Sequence, residues 1–323
     1  MNAIDLYARP SAQFESRLAH TRALLHAAAA EFDGRIVQAT SLGAEDMVLT
    51  DLIARDALPI AVATLDTGAL HAQTLALVAR IGARYGIAVE VWAPPAADVV
   101  QFVERHGADA MRRSVELRKA CCALRKLGPL QRLLAGRSAW VTGLRREQSE
   151  TRAEVPERET DAQQRVKLNA LADWSWGDVW HYIATREVPY NPLHDQFMPS
   201  IGCAPCTRAI AVGEPFRAGR WWWESAGHKE CGLHFGEGSH RASDVKAADA
   251  AGRSQSASEA HFGSGSHRAS DVKAADAAGR SQSASEAHFG SGSHRASDVK
   301  AAAAAGRSQS AGAVHLRSTE DVT

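Results

Sequence analysis

The chain has 323 residues, enough for one large or two small domains, and its 37 basic residues balance 37 acidic ones. A formal charge of zero excludes a global pull toward nucleic acid or an anionic membrane, so an anionic ligand must be caught by a local basic cluster. Five cysteines, an odd number, argue against a disulfide framework and for metal ligands or a reactive thiol.

In chain order, residues 1–10 carry Asp5 and lack the apolar stretch of a secretory signal. No apolar run reaches the length of a membrane span, and the expected location is the cytoplasm, where thiols stay reduced. Residues 11–30 read as an amphipathic helix through Phe14, Leu18, Leu24 and Leu25. RIVQAT (35–40) is a short buried strand that runs into SLGAED (41–46), and 44–57 is an apolar helix. PIAVATLD (59–66) is a second strand, after which TGAL (67–70) opens a helix to about Tyr85, broken by Gly86. IAVEVW (87–92) is a third strand, 96–105 a helix, and SAWVTGL (138–144) a fourth strand after a further helix. Residues 174–187 form a helix capped by Asp173 or Ser175. Strands alternating with helices predict an α/β fold with a mostly parallel twisted sheet and flanking helices. Ligands then bind beyond the carboxyl ends of the strands.

Residues 234–323 are a different material. They hold no Trp, Tyr, Cys or Ile and a single Leu, Leu316. Near-copies of one 27-residue unit start at His234, His261 and His288, each with one Phe and one Val. That is too little apolar surface for a packed core, so a low-complexity, disordered tail is expected behind a folded domain at 1–233. A histidine-rich metal tract is the weaker alternative, because Gly and Ser around those residues fix no geometry.

Three polar segments follow predicted strand ends. In SLGAED, Ser41, Gly43 and the helix start behind them can present N–H groups to an anion, although an ordinary strand-to-helix turn uses the same residues. DTG follows the second strand. GLRREQSETR (143–152) gathers Arg145, Arg146 and Arg152, whose forked guanidinium groups match phosphate and sulfate oxygens. The alternative there is a solvated loop with Glu147 and Glu150 as partners.

The cysteines carry the strongest signal. Cys121–Cys122 and Cys203-Ala-Pro-Cys206 provide four thiolates in a pattern suited to an iron–sulfur cluster or another soft-metal site. Adjacent cysteines reach one zinc ion with difficulty, whereas a cluster offers separate irons. Arg118, Lys119, Arg125 and Lys126 surround the first pair and would offset thiolate charge. Cys231 is left over, flanked by Lys229 and His234, and is either a spare thiol near the end of the folded sequence or a nucleophile with an enriched thiolate.

Taken together, SLGAED, LDTG (65–68), ELRKACC (116–122), GLRREQS with its following TR, LADW (171–174), VPYNPLHDQ (188–196), PSIGCAPCTR (199–208), AGRWWWE (218–224) and KECGLH (229–234) resemble the bacterial assimilatory adenylylsulfate (APS) reductases, the iron–sulfur branch of the phosphoadenylylsulfate (PAPS) reductase family. Arg112, Arg113 and Ala170 depart from the family pattern without removing a motif residue, and the tail has no counterpart in it. The resemblance implies an adenine nucleotide α-hydrolase-like fold and a [4Fe–4S] cluster on Cys121, Cys122, Cys203 and Cys206. It implies that Cys231 attacks the sulfur of APS, expelling AMP, and that thioredoxin or glutaredoxin then releases sulfite. By the same resemblance, Ser41, Gly43, Glu45, Asp46, Asp66, Thr67 and Gly68 cradle the nucleotide. Arg145, Arg146, Arg152, Lys119 and His234 complete the substrate contacts. A homo-oligomer is the family expectation, with no nucleic-acid or membrane partner. PAPS or dual APS/PAPS use is the nearest alternative. A tRNA-thiolating ATP pyrophosphatase would need SGGxDS in place of SLGAED. A zinc-stabilised nucleotide sensor would need no Cys231.

Overall fold

A computed structural model describes residues 2–224. The expected disordered tail lies outside the described residues. Among the described residues the chain forms α1 (Ala3–Tyr7), α2 (Phe14–Phe32), β1 (Ile36–Thr40), α3 (Ala44–Arg55), β2 (Ala61–Leu65), α4 (Ala72–Tyr85) and β3 (Val89–Trp92). It continues through α5 (Ala96–His106), α6 (Ala110–Arg113), α7 (Val115–Cys122), α8 (Gly128–Leu133), β4 (Ala139–Thr142), β5 (Arg158–Thr160), β6 (Val166–Asn169) and α9 (Trp176–Arg186). None of these helices is long and apolar enough to cross a membrane.

The sheet has six strands in the order β3-β2-β1-β4-β6-β5, all parallel except for the antiparallel pair β5 and β6. β1 is central because Ile36 and Val37 are both fully buried, one toward each face of the sheet. On one face Ile36 and Val62 meet α3, α4 and α9; on the other Val37 and Ala63 meet Leu130, Leu133 and Trp140. Each fully buried Leu, Ile or Val contributes about 1.5–3 kcal/mol, so the centre of the sheet dominates the stability. α3 is locked to β1 by polar contacts as well. Gln38 Nε2 donates to the Asp46 carbonyl at 2.7 Å, and Thr50 Oγ1 donates to Gln38 Oε1 at 3.0 Å.

Chain order reverses between β1 and β4, and that switch point opens a crevice beyond the strands' carboxyl ends. The four strands read from sequence are present with slightly shorter bounds, and Ser175 is the α9 cap, in a capping box with Asp178. Two readings need correction. TGAL does not open α4; residues 66–71 form a loop, and His71 is the cap position. β5 and β6 were not expected at all. Gly86, at φ 68°, ends α4 in the left-handed conformation that only glycine adopts without strain.

Candidate active site

The crevice contains a cavity of about 190 Å³, walled by the ends of β1, β2 and β4 and by the loops that follow them. Its floor is the SLGAED loop. Asp46 is buried and accepts three donors: Ser41 N and Ser41 Oγ at 2.6 Å each, and Gly143 N at 2.9 Å. Burial pushes its carboxyl up to about 6, against the pull of the Ser41 and Gly143 donors. Asp46 is therefore a brace that ties the loop after β1 to the loop after β4. Gly143 is required at this crossing, because a Cβ there would stand 2.6 Å from Asp46 Oδ1 and 2.9 Å from Glu45 Cβ. α3 begins at Gly43 with no side-chain cap, and Ser41, Gly43, Glu45 and Asp46 all line the cavity. Gly43 N donates to Ser41 Oγ at 3.3 Å and Ser41 N to Asp46, so an anion at this helix start would be met by the N–H groups that follow Gly43.

The three arginines of GLRREQSETR separate in the fold. Arg145 is 1 % exposed and is spent on protein partners: Nε and Nη2 each lie 3.0 Å from Glu45 Oε1, and Nη1 donates to Glu147 Oε2 at 2.8 Å. Its guanidinium also stacks 5.2 Å from the Trp176 ring. Arg146 turns outward, donating to the Val155 carbonyl and pairing with Asp173. Only Arg152, buried and donating to Gln148 Oε1 at 2.5 Å, reaches the cavity wall. The remaining cations of that wall are Lys126, Arg217 and Arg220. Arg220 belongs to AGRWWWE and Arg217 directly precedes it; sequence reading assigns a role to neither. Gly202 leaves room for Arg220, since a Cβ there would meet its Nη2 at 2.3 Å.

In the loop after β2, Thr67 lines the cavity, while Asp66 and Gly68 do not. Asp66 Oδ1 accepts the Gly68 N–H at 2.9 Å, a local turn that sets the position of Thr67. Thr67 Oγ1 then lies 3.2 Å from Cys203 Sγ, and Arg125 Nη1 donates to the Thr67 carbonyl at 2.7 Å.

The two cysteine pairs come together. Cys121 and Cys122 end α7, and Cys203 and Cys206 bracket a single 3₁₀ turn anchored by the Ala204 N–H to the Ala69 carbonyl at 2.8 Å. All four are buried, none is in a disulfide, and together they line a second cavity of about 140 Å³. Burial pushes the Cys206 thiol up to about 11, with Cys203 adding to the rise and Arg220 and Lys126 opposing it. Burial also raises Cys121, and Arg125 opposes that shift. Among the described residues no group of three or more His, Cys, Asp or Glu is arranged around a single metal ion. Four thiols spread over the wall of a cavity this size, with Arg118, Arg125 and Lys126 in the same wall, fit a larger anionic group. Directly after Cys122 the helix opens into one π turn, Ala123–Leu127, which carries Arg125 and Lys126 to that wall.

The two cavities share Lys126 and Trp221. Lys119, expected to link them, is half-buried on α7 and lies in neither wall. Cys231 and His234 lie outside the described residues.

The model of the phosphoadenosine phosphosulfate reductase domain matches residues 35–209. A protein named adenosine 5'-phosphosulfate reductase from Allochromatium vinosum is 60% identical over 200 residues, which are 62% of this chain and 78% of that protein. Proteins of the same name from Burkholderia cepacia and Neisseria meningitidis are 54% and 52% identical over 198 residues, each covering 61% of this chain and 79% and 80% of theirs. Among solved structures, a phosphoadenylyl-sulfate (PAPS) reductase from Candida auris in a phosphate complex is 27% identical, with a TM-score of 0.47, over 55% of this chain and 83% of that one.

Proposed function

The chain belongs to the phosphoadenosine phosphosulfate reductase family, and we propose from that premise that it is an adenylyl-sulfate reductase, forming sulfite and AMP from APS in sulfate assimilation. The observation that carries the reading is the pair of adjoining cavities: one at the nucleotide switch point, one walled by four thiols, with Lys126 and Trp221 in common. The nucleotide lies over the open start of α3, and Arg152, Arg217, Arg220 and Lys126 meet the charge of the phosphosulfate. Glu45, Arg145 and Asp46 support that surface from behind.

Cys121, Cys122, Cys203 and Cys206 are the residues that would hold a [4Fe–4S] cluster. A cluster held there would supply charge beside the substrate cavity, with Arg118, Arg125 and Lys126 in the same wall to offset it. The Cys231 thiolate attacks the sulfur of APS. The bond from sulfur to the phosphate oxygen breaks, AMP leaves with the electron pair, and an S-sulfocysteine remains. The cations of the cavity wall stabilise the leaving phosphate. With four cysteines held as ligands, Cys231 has no internal dithiol partner, so thioredoxin or glutaredoxin supplies both electrons. One reductant thiolate attacks Cys231 Sγ and expels sulfite; its second thiol resolves the mixed disulfide. The setting is cytoplasmic, and APS is the substrate rather than its 3'-phosphorylated form.

The test is a trapping experiment on the full chain. With APS and no reductant, intact mass should rise by one sulfonate, on the peptide holding Cys231. Cys231→Ser should give no adduct and no sulfite while binding AMP normally. A variant that keeps substantial thioredoxin-dependent turnover would refute the assignment.

A further inference from the structure

Trp221, in the wall between the two cavities, has its backbone at φ 40°, a region that bulky side chains rarely occupy. Such a conformation persists only where its surroundings over-determine it. The surroundings here are unusually specific. Arg118 and Arg220 each place a guanidinium 4.6 Å from the Trp221 ring centroid, and the Trp221 N–H donates to the Cys206 carbonyl at 3.3 Å. Arg118 sits on α7, one turn before Cys121–Cys122, and its Nε donates to Glu224 Oε1 at 2.6 Å. Both members of this ion pair are buried, at 1% and 5% exposure. The Glu224 N–H closes the turn by donating to the Trp221 carbonyl at 2.9 Å.

A buried ion pair yields little net stability, because desolvation offsets the attraction; what it does provide is a fixed geometry. Here the geometry ties the cysteine-pair helix to the chain that leads toward Cys231. Six residues lie between Glu224 and Cys231, so seven chain steps bound the thiol to within about 25 Å of that anchor even in a fully extended chain. A short tether with one end fixed beside the cavities raises the effective concentration of the thiol there.

We propose that Glu224 is a positioning residue for the nucleophile, and that its ion pair with Arg118 fixes the departure point of the Cys231 segment beside the wall the cavities share. This rests on the reading of Cys231 given above. Glu224 touches no substrate; it acts through Arg118 and Trp221. Its loss should therefore slow sulfonation without weakening nucleotide binding, a split that a general loss of folding would not produce.

The experiment compares wild type, Glu224→Ala and Glu224→Gln as full-length holoproteins. Iron content, AMP affinity and the single-turnover rate of Cys231 sulfonation by saturating APS are measured for each. Glu224→Ala should sulfonate at least tenfold more slowly, with AMP affinity within twofold and iron content unchanged. Glu224→Gln keeps an oxygen for Arg118 Nε, folds in the same shape, and should recover part of the rate. A wild-type rate in both variants would overturn the anchor, as would a loss of AMP affinity as large as the loss of rate. Absence of any adduct in the unmodified protein would overturn the reading of Cys231 itself, and the anchor with it.

Discussion

Asp46→Asn separates two effects that meet at one buried carboxyl. The folded carboxyl titrates at about 6 rather than 3.8, because burial outweighs the three donors it accepts. A carboxyl raised in this way contributes stability that is fully present below its unfolded value and is lost as pH rises through its folded value. The window is therefore about pH 4 to 6. A shift of this size corresponds to about 3 kcal/mol at pH 7. The amide in Asp46→Asn does not ionise, so the variant escapes the loss. It should match wild type near pH 4 and exceed it by up to about 3 kcal/mol at pH 7. Function should move the other way. An amide offers one acceptor oxygen where the carboxylate offers two, so it cannot satisfy Ser41 N, Ser41 Oγ and Gly143 N together. One of the two strand-end loops must turn away, and AMP affinity should fall by about tenfold, the effect of one hydrogen bond to a charged group. Urea unfolding of both proteins across this pH range, with AMP titration calorimetry at neutral pH, makes the comparison. A variant that becomes less stable than wild type as pH rises would show that the donors, not burial, govern Asp46, and would refute the reasoning.

Gly143→Ala should press its new Cβ on Asp46 Oδ1 and Glu45 Cβ, destabilising the protein by about 1–3 kcal/mol and weakening AMP binding; chemical unfolding and calorimetry report both. Cys206→Ser should bleach the visible absorption and remove bound iron and sulfide, and analysis that finds no cluster in reconstituted wild type would end the metal assignment. Cutting the chain after Glu237 should leave iron content unchanged and thioredoxin-dependent turnover within severalfold, because a tether's closure entropy grows only as the logarithm of its length. Loss of most activity in the shortened protein would show that the repeats contribute to catalysis.

Much of this molecule is written locally. Alternating apolar strands and amphipathic helices specify an α/β sheet, since each pattern is a short-range property of side-chain spacing. The paired cysteines announce a shared site from residue type alone, and the fold does bring Cys121, Cys122, Cys203 and Cys206 around one cavity. β5 and β6 escaped notice because Arg158–Thr160 and Val166–Asn169 are too short for the alternation of Val166 and Leu168 with polar neighbours to stand out; their strand form is fixed by pairing with β4 and with each other. Side-chain direction was equally illegible. Arg145, Arg146 and Arg152 look equivalent in sequence, yet one is buried against Glu45, one faces Asp173 and one lines the cavity. Lys119 and Lys126 sit in the same basic run, and a single π turn decides that Lys126 reaches both cavities. The sequence by itself determined which chemical groups are present and which segments carry them. Tertiary structure alone decided which charged side chains reach the cavity wall, because the partners that turn a side chain away from it can lie 100 or more residues off along the chain, as for Arg145 and Glu45.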